Sequence, residues 1–223
     1  MKFYVGDEEI ELTQEELDYR YLDEGKEAKI YDYGSEVLKI YKDYCPKLRL
    51  SEEDSFSLSQ IETERVLLPK RLIYDENGKF SGYTTERIYG LSKLIIPKMK
   101  IEKLVDELDI VITDLKVLAD NNYDVADFTL NNVVYNGRLY FVDPGSFMHV
   151  GDYGERFKYN SNICTLNDFM LDDFFYLVLL SKKYRKKFND NFDRADYITD
   201  YIRCSMKENE TVRQYVKRMS KVN

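Results

Sequence analysis

The sequence predicts an α+β protein: an antiparallel-sheet part over 1–88, then a mainly helical part over 89–223. Two patterns carry this expectation. Short β-type runs separated by turn signals recur through the first part, at Lys2 to Leu12, Tyr19 to Tyr33 and Val66 to Glu86. Further on, Ile101, Leu104, Val105, Leu108, Val111, Ile112, Leu115 and Leu118 recur at steps of three and four, the spacing of one long amphipathic helix. A chain of 223 residues can bury a good core, as one compact two-lobed unit or as two small domains.

In chain order, Lys2 to Val5 and Glu8 to Leu12 form a leading hairpin through Gly6-Asp7. Thr13-Gln14-Glu15-Glu16 has the Thr-x-x-Glu form of a capping box and starts a helix. Tyr19 to Asp23 and Ile30 to Tyr33 form a second hairpin around Gly25. Lys39 then stands in a strand with Val37, Leu38, Ile40 and Tyr41, where a buried cation needs an anionic partner. Lys42, at the strand's end beside Asp43, reads as a surface charge. Ser51 caps a short helix with acids over its positive end; Phe56, Leu58 and Ile61 give it an apolar side. Asp75-Glu76-Asn77-Gly78 turns the chain between Val66 to Tyr74 and Lys79 to Glu86.

The long helix leads to Tyr123 to Gly145. There, Val133 to Tyr135 and Leu139 to Val142 flank Asn136-Gly137, which favours a tight two-residue hairpin turn. Asp127 and Asn132 precede the first strand and Asp143 follows the second, so an oxygen cluster is expected at the hairpin's open end. Such a cluster suits Mg²⁺, which takes one or two carboxylates together with substrate phosphates. Singly, each of these residues is an ordinary turn former. Their joint order and spacing, Asp127-x-x-x-x-Asn132 and then Asp143-Pro144-Gly145, resembles the catalytic loop and metal motif of protein kinases and aminoglycoside-type phosphotransferases.

The resemblance covers about Tyr19 to Phe147 and implies a two-lobed, protein-kinase-like fold. It implies an ATP- and Mg²⁺-dependent transfer of the γ-phosphate to a hydroxyl of a protein or small molecule. Under it, Asp127 orients or deprotonates the acceptor, Asn132 and Asp143 hold the metal, and Lys39 positions phosphates. The lysine's partner would be a glutamate of the following helix: Glu53, which shares a face with Phe56, or Glu52, or neither if both only serve the helix dipole. Gly25 and Ala28 would let the covering hairpin approach phosphate, with Asp23 where the family has another glycine. Glu86 and Ile88 would bond adenine through the main chain, with Thr85 bordering the pocket. Val125 and Ala126 replace the family's His and Arg, and the Ala-Pro-Glu segment is missing. A catalytically silent nucleotide-binding or scaffolding relative, a pure interaction domain, and transfer of AMP are the alternatives.

Other classes are less well served. The three cysteines, Cys45, Cys164 and Cys204, have no metal-ligand spacing and read as reduced. His149 is the only histidine, so hydroxyl activation falls to a carboxylate. No apolar stretch approaches the roughly 20 residues of a membrane span, and Met1 to Asp7 lacks a signal-peptide core, so a cytoplasmic protein is expected. The net charge of −8 is uneven: from Ser181 to Asn223 there are 12 Lys plus Arg against 6 Asp plus Glu. The basic run Lys182 to Lys187 reads as a solvated helix face, not a nucleic-acid site. Helices are expected over Leu166 to Leu180, Asp193 to Met206 and Thr211 to Met219.

Overall fold

A computed structural model describes residues 1–42, 50–90, 93–126, 128–151, 155–175 and 197–220. The chain forms two compact units. The first comprises Met1–Thr63, Leu67–Ile88 and Asp143–Met148; the second comprises Glu64–Val66, Tyr89–Val142 and His149–Asn223. The class is α+β as expected, with an antiparallel sheet in the first unit and mainly helices in the second.

Seven strands form the sheet of the first unit: β1 Lys2–Val5, β2 Glu8–Glu11, β3 Tyr21–Glu24, β4 Ala28–Tyr33, β5 Glu36–Tyr41, β6 Leu72–Asp75 and β7 Phe80–Glu86. Their spatial order is β2-β1-β6-β7-β5-β4-β3, with every neighbouring pair antiparallel. The leading hairpin therefore extends the sheet beyond β6, and β5, the Lys39 strand, lies inside it between β4 and β7. Gly6 and Gly78 take left-handed conformations in the hairpin turns, with φ of 60° and 75°. The Asp75 carboxylate fastens the second turn by accepting from Asn77 N and Lys79 N, both at 2.9 Å.

Opposed residues of an antiparallel pair share a face, and successive residues alternate. Tyr31, Leu38 and Ile73 on one face join Phe3, Val5, Leu12 and Leu17 in a buried cluster edged by Ile10, Tyr33 and Ile40. Leu17 comes from α1, Gln14–Arg20, whose Thr13–Glu16 capping box forms as expected, with Glu16 N donating to Thr13 Oγ1 at 3.2 Å. The opposite face carries Ala28, Ile30, Val37, Lys39, Tyr83 and Thr85. Apolar packing thus closes one side and leaves the chemically varied side chains on the other.

The strand expected from Val66 begins only at Leu72. Pro69 has no N–H to give to a ladder, although Lys70 N still reaches Thr84 O at 2.8 Å. Helix α2, Glu52–Ser59, is capped by Ser51 as expected, with Asp54 N donating to its Oγ at 3.0 Å. Its buried residues are Ser55 and Leu58, whereas Phe56 is 58% exposed.

In the second unit, α3, Ile101–Asp120, runs over the predicted span and buries its three-and-four stripe. It packs on α4, Glu155–Asp168, on α5, Ile198–Ser205, and on α6, Val212–Met219. Helix α4 starts well before the helix expected at Leu166 and runs into a π-helical turn at Phe169–Phe174. Asn160, Ser161, Asn162, Cys164 and Thr165 read as turn formers in sequence, but Ile163, Leu166, Phe169 and Met170 are buried and tertiary packing prevails. Strands β8, Val133–Tyr135, and β9, Leu139–Phe141, form the expected hairpin. Its loop has three residues, because Tyr135 pairs with Leu139, Asn136 N donates to Arg138 O at 3.2 Å and Gly137 takes φ 104°. Cys164 is half-buried and Cys204 exposed. No described helix is long and apolar enough to cross a membrane. Cys45, the Lys182 to Lys187 run, and the stretches 176–180 and 193–196 of the spans expected to be helical over Leu166 to Leu180 and Asp193 to Met206 lie outside the described residues.

Candidate functional site

The chemistry in the first unit converges on Lys39. Only 4% of this residue is exposed. Its Nζ donates to Glu27 Oε1 at 2.6 Å and to Asp143 Oδ1, and lies 5.4 Å from the centre of the Tyr83 ring. Burial alone pulls the ammonium's pKa down, yet the fields of Tyr83, Asp143 and Glu27 outweigh it and hold the pKa well above its ordinary value. The lysine is thus a permanent buried cation. Burial in turn pushes the Tyr83 phenol up, so its hydroxyl, which has no well-directed hydrogen bond, stays neutral beside the ammonium.

Asp143 reaches Lys39 from 104 residues away in sequence. Its backbone is left-handed, φ 71° and ψ 73°, a region where Asp is among the few tolerated side chains. The bend lets Asp143 Oδ1 also accept from Gly145 N at 3.2 Å. Gly145 leaves room for this pairing: with the side chains as they stand, a Cβ there would lie 2.4 Å from Glu27 Oε1 and 3.2 Å from Lys39 Nζ. Lysine, two carboxylates and a bare stretch of main chain therefore occupy one small volume.

Glu27, not Glu53 or Glu52, is the glutamate that pairs with Lys39. The expected pairing of Glu53 with Lys39 relied on Phe56 being on the core side of α2. Glu53 and Phe56 do share a helix face, but that face is exposed, and Ser55 and Leu58 point inward instead. Glu52 accepts from Tyr74 Oη at 2.9 Å. Lys42 is likewise more than a surface charge: its N–H donates to Glu27 O at 2.8 Å and its Nζ to Gly25 O at 2.7 Å, bracing the turn that carries Glu27.

Of the other expected residues, Ala28 and Thr85 lie on the same sheet face as Lys39. Thr85 Oγ1 is buried and has no hydrogen-bond partner among the described residues. Gly25 closes the β3–β4 turn through its N–H to Ala28 O at 2.9 Å, with open space where a Cβ would stand. Glu86 ends β7 and is exposed; Ile88 follows, half-buried, and among the described residues no group bonds to its main chain. Asn132 belongs to the second unit, where its carbonyl accepts from Val142 N at 2.8 Å at the base of the β8–β9 hairpin. Asp127 lies outside the described residues.

Three further residues were not found by sequence reasoning. Asn162, fully buried in α4, accepts from Val125 N at 2.7 Å and donates to Tyr123 O at 3.1 Å and Leu115 O at 3.3 Å, fixing the segment that leads to position 127. No sequence signal marks it. Gly82 has φ 149°, and a Cβ there would fall 1.9 Å from Lys39 O. A lone glycine inside a strand is itself a sign of close backbone approach, so this one was legible. Glu27 sits in an unremarkable charged turn.

No protein-family model matches the chain, and no curated protein matches its sequence. Solved structures do match its fold. One is the Cydia pomonella granulovirus kinase PK-1, at 21% identity and a TM-score of 0.46, over 59% of this chain and 52% of that one. The chain thus aligns with about half the length of that viral protein.

Proposed function

We propose that the chain is an ATP- and Mg²⁺-dependent phosphotransferase that passes a γ-phosphate to a hydroxyl of a protein or small molecule. The observation that carries this reading is the buried Lys39 ammonium on a central strand, paired with Asp143 of the Asp-Pro-Gly segment. A lysine held for phosphates and an aspartate held for metal are two of the stations such a site needs.

The residues present fit a nucleotide and a metal. The orphaned Thr85 Oγ1 and the unbonded main chain of Ile88 leave hydrogen-bonding capacity where a base would bind. Gly25 lacks a side chain although no described residue comes within 4 Å of where its Cβ would stand, which suits a turn that something else must approach. Asp143 would give a metal a carboxylate, and Asn132 is the second ligand that the resemblance implies, in keeping with Mg²⁺ taking its remaining ligands from water and phosphate. Bound MgATP supplies the transferable phosphoryl group and much of its charge neutralisation. Lys39 positions the phosphates, and Asp127 orients the acceptor hydroxyl and takes its proton.

The test is thermal unfolding with and without ATP and Mg²⁺. Ligand at one hundred times its dissociation constant adds about 2.7 kcal/mol, a rise of roughly 5–10 °C for a chain of this size. Lys39→Ala and Asp143→Asn should abolish most of that rise, while Lys29→Ala, on an exposed position of β4, should keep it. No shift in the parent protein would sink the nucleotide reading.

A further inference from the structure

Lys39 has three N–H donors, and the chain itself occupies two of them with carboxylates. Asp143 belongs to the segment read as metal-binding, but Glu27 does not. Glu27 closes the Gly25-Lys26-Glu27 turn between β3 and β4, and its carboxylate turns inward, with 14% of the side chain exposed. One oxygen meets the Lys39 ammonium at 2.6 Å, in the space a Gly145 side chain would fill. The turn is anchored from below, since Lys42 donates to Glu27 O from its N–H and to Gly25 O from its ammonium. An anion from the hairpin tip therefore sits on the buried cation and over bare backbone at Gly145.

Resting on the phosphotransferase reading, we propose that Glu27 is an internal counterion in the position of a nucleotide's phosphates, and that MgATP binds by displacing it. A phosphate chain would need the same ammonium and the same uncluttered surface at Gly145. With Glu27 in place, the site holds its positive charge neutralised; with Glu27 swung out on the β3–β4 turn, Lys39 keeps Asp143 and regains a donor. The apparent affinity for nucleotide then equals the intrinsic affinity scaled by the fraction of molecules with Glu27 displaced. Glu27 thereby sets how much nucleotide is needed to engage the protein.

Titrations of MgATP and of inorganic triphosphate into the parent protein, Glu27→Gln and Glu27→Ala test this. Glu27→Gln keeps the size and removes the charge, so it guards against a packing effect in Glu27→Ala. The expected result is binding about tenfold tighter or more in both variants, by a similar factor for the two ligands, because the competition concerns phosphate and not base. If the parent binds MgATP and Glu27→Gln binds it equally or more weakly, Glu27 is a supporting counterion and the inference falls alone. Should neither ligand bind to any of the three proteins, the nucleotide reading fails and takes the inference with it.

Discussion

Lys39 was legible because a lysine among Val37, Leu38, Ile40 and Tyr41 can be buried only against an anion. Its partner was not, because the choice among glutamates turned on which face of α2 packs inward. Ser55, a residue with no apolar claim, is fully buried while Phe56 is exposed, so hydrophobicity pointed to the wrong face. Gly82 yields a sharp expectation at this scale. Its φ of 149° suits no other residue, and a Cβ 1.9 Å from a carbonyl oxygen of β5 cannot be relieved by side-chain motion. Gly82→Ala should destabilise the protein by roughly 3 kcal/mol or more, measured by urea unfolding. A loss under about 1 kcal/mol would mean that the β5–β7 register is wrong.

Among elements, the leading hairpin, the Thr13 capping box, the Ser51 cap and α3 followed directly from turn residues, caps and periodicity. What escaped were elements settled by tertiary bonds, such as α4, whose turn-forming Asn162 is spent on the Val125 segment. The short chain Glu64–Val66 is fixed in the same manner. The buried Asp114 carboxylate of α3 accepts from Glu64 N at 3.0 Å, Arg65 N at 2.6 Å and Val66 N at 2.9 Å. Asp114→Ala leaves those N–H groups without their charged acceptor and should cost about 3 kcal/mol. Chemical denaturation would detect it, and a loss below about 1 kcal/mol would show the contact to be dispensable.

Helix α6 supplies a pH test. Glu210 precedes its cap and grips Arg218, Nε to Oε1 at 2.9 Å and Nη2 to Oε2 at 2.6 Å. Those bonds hold the Glu210 carboxyl below its ordinary range against the opposing effect of burial. A depressed carboxyl contributes stability above its unfolded pKa of about 4.3 and loses it as pH falls through the folded value. The parent's melting temperature should therefore drop more steeply below about pH 4.3 than that of Glu210→Gln. Parallel curves would contradict the pairing.

For the whole molecule, the α+β class was readable because local signals agreed across each part of the chain. The grouping of Asp143–Met148 with the sheet was harder to read, since it lies far along the chain and depends on Asp143 meeting Lys39. Long-range pairings of this kind leave no periodicity to detect. The proposed reaction is transfer of phosphate with Asp127 as the acceptor-orienting base. It is tested most directly with ATP labelled on the α- or γ-phosphate, following label in the protein and in added acceptors while MgATP affinity is measured on the same preparations. Incorporation is expected from the γ position only, falling roughly a hundredfold or more in Asp127→Asn with nucleotide affinity nearly unchanged. Incorporation from the α position would make the reaction AMP transfer; nucleotide binding without transfer of either label, or full turnover in Asp127→Asn, would contradict the proposed phosphotransferase.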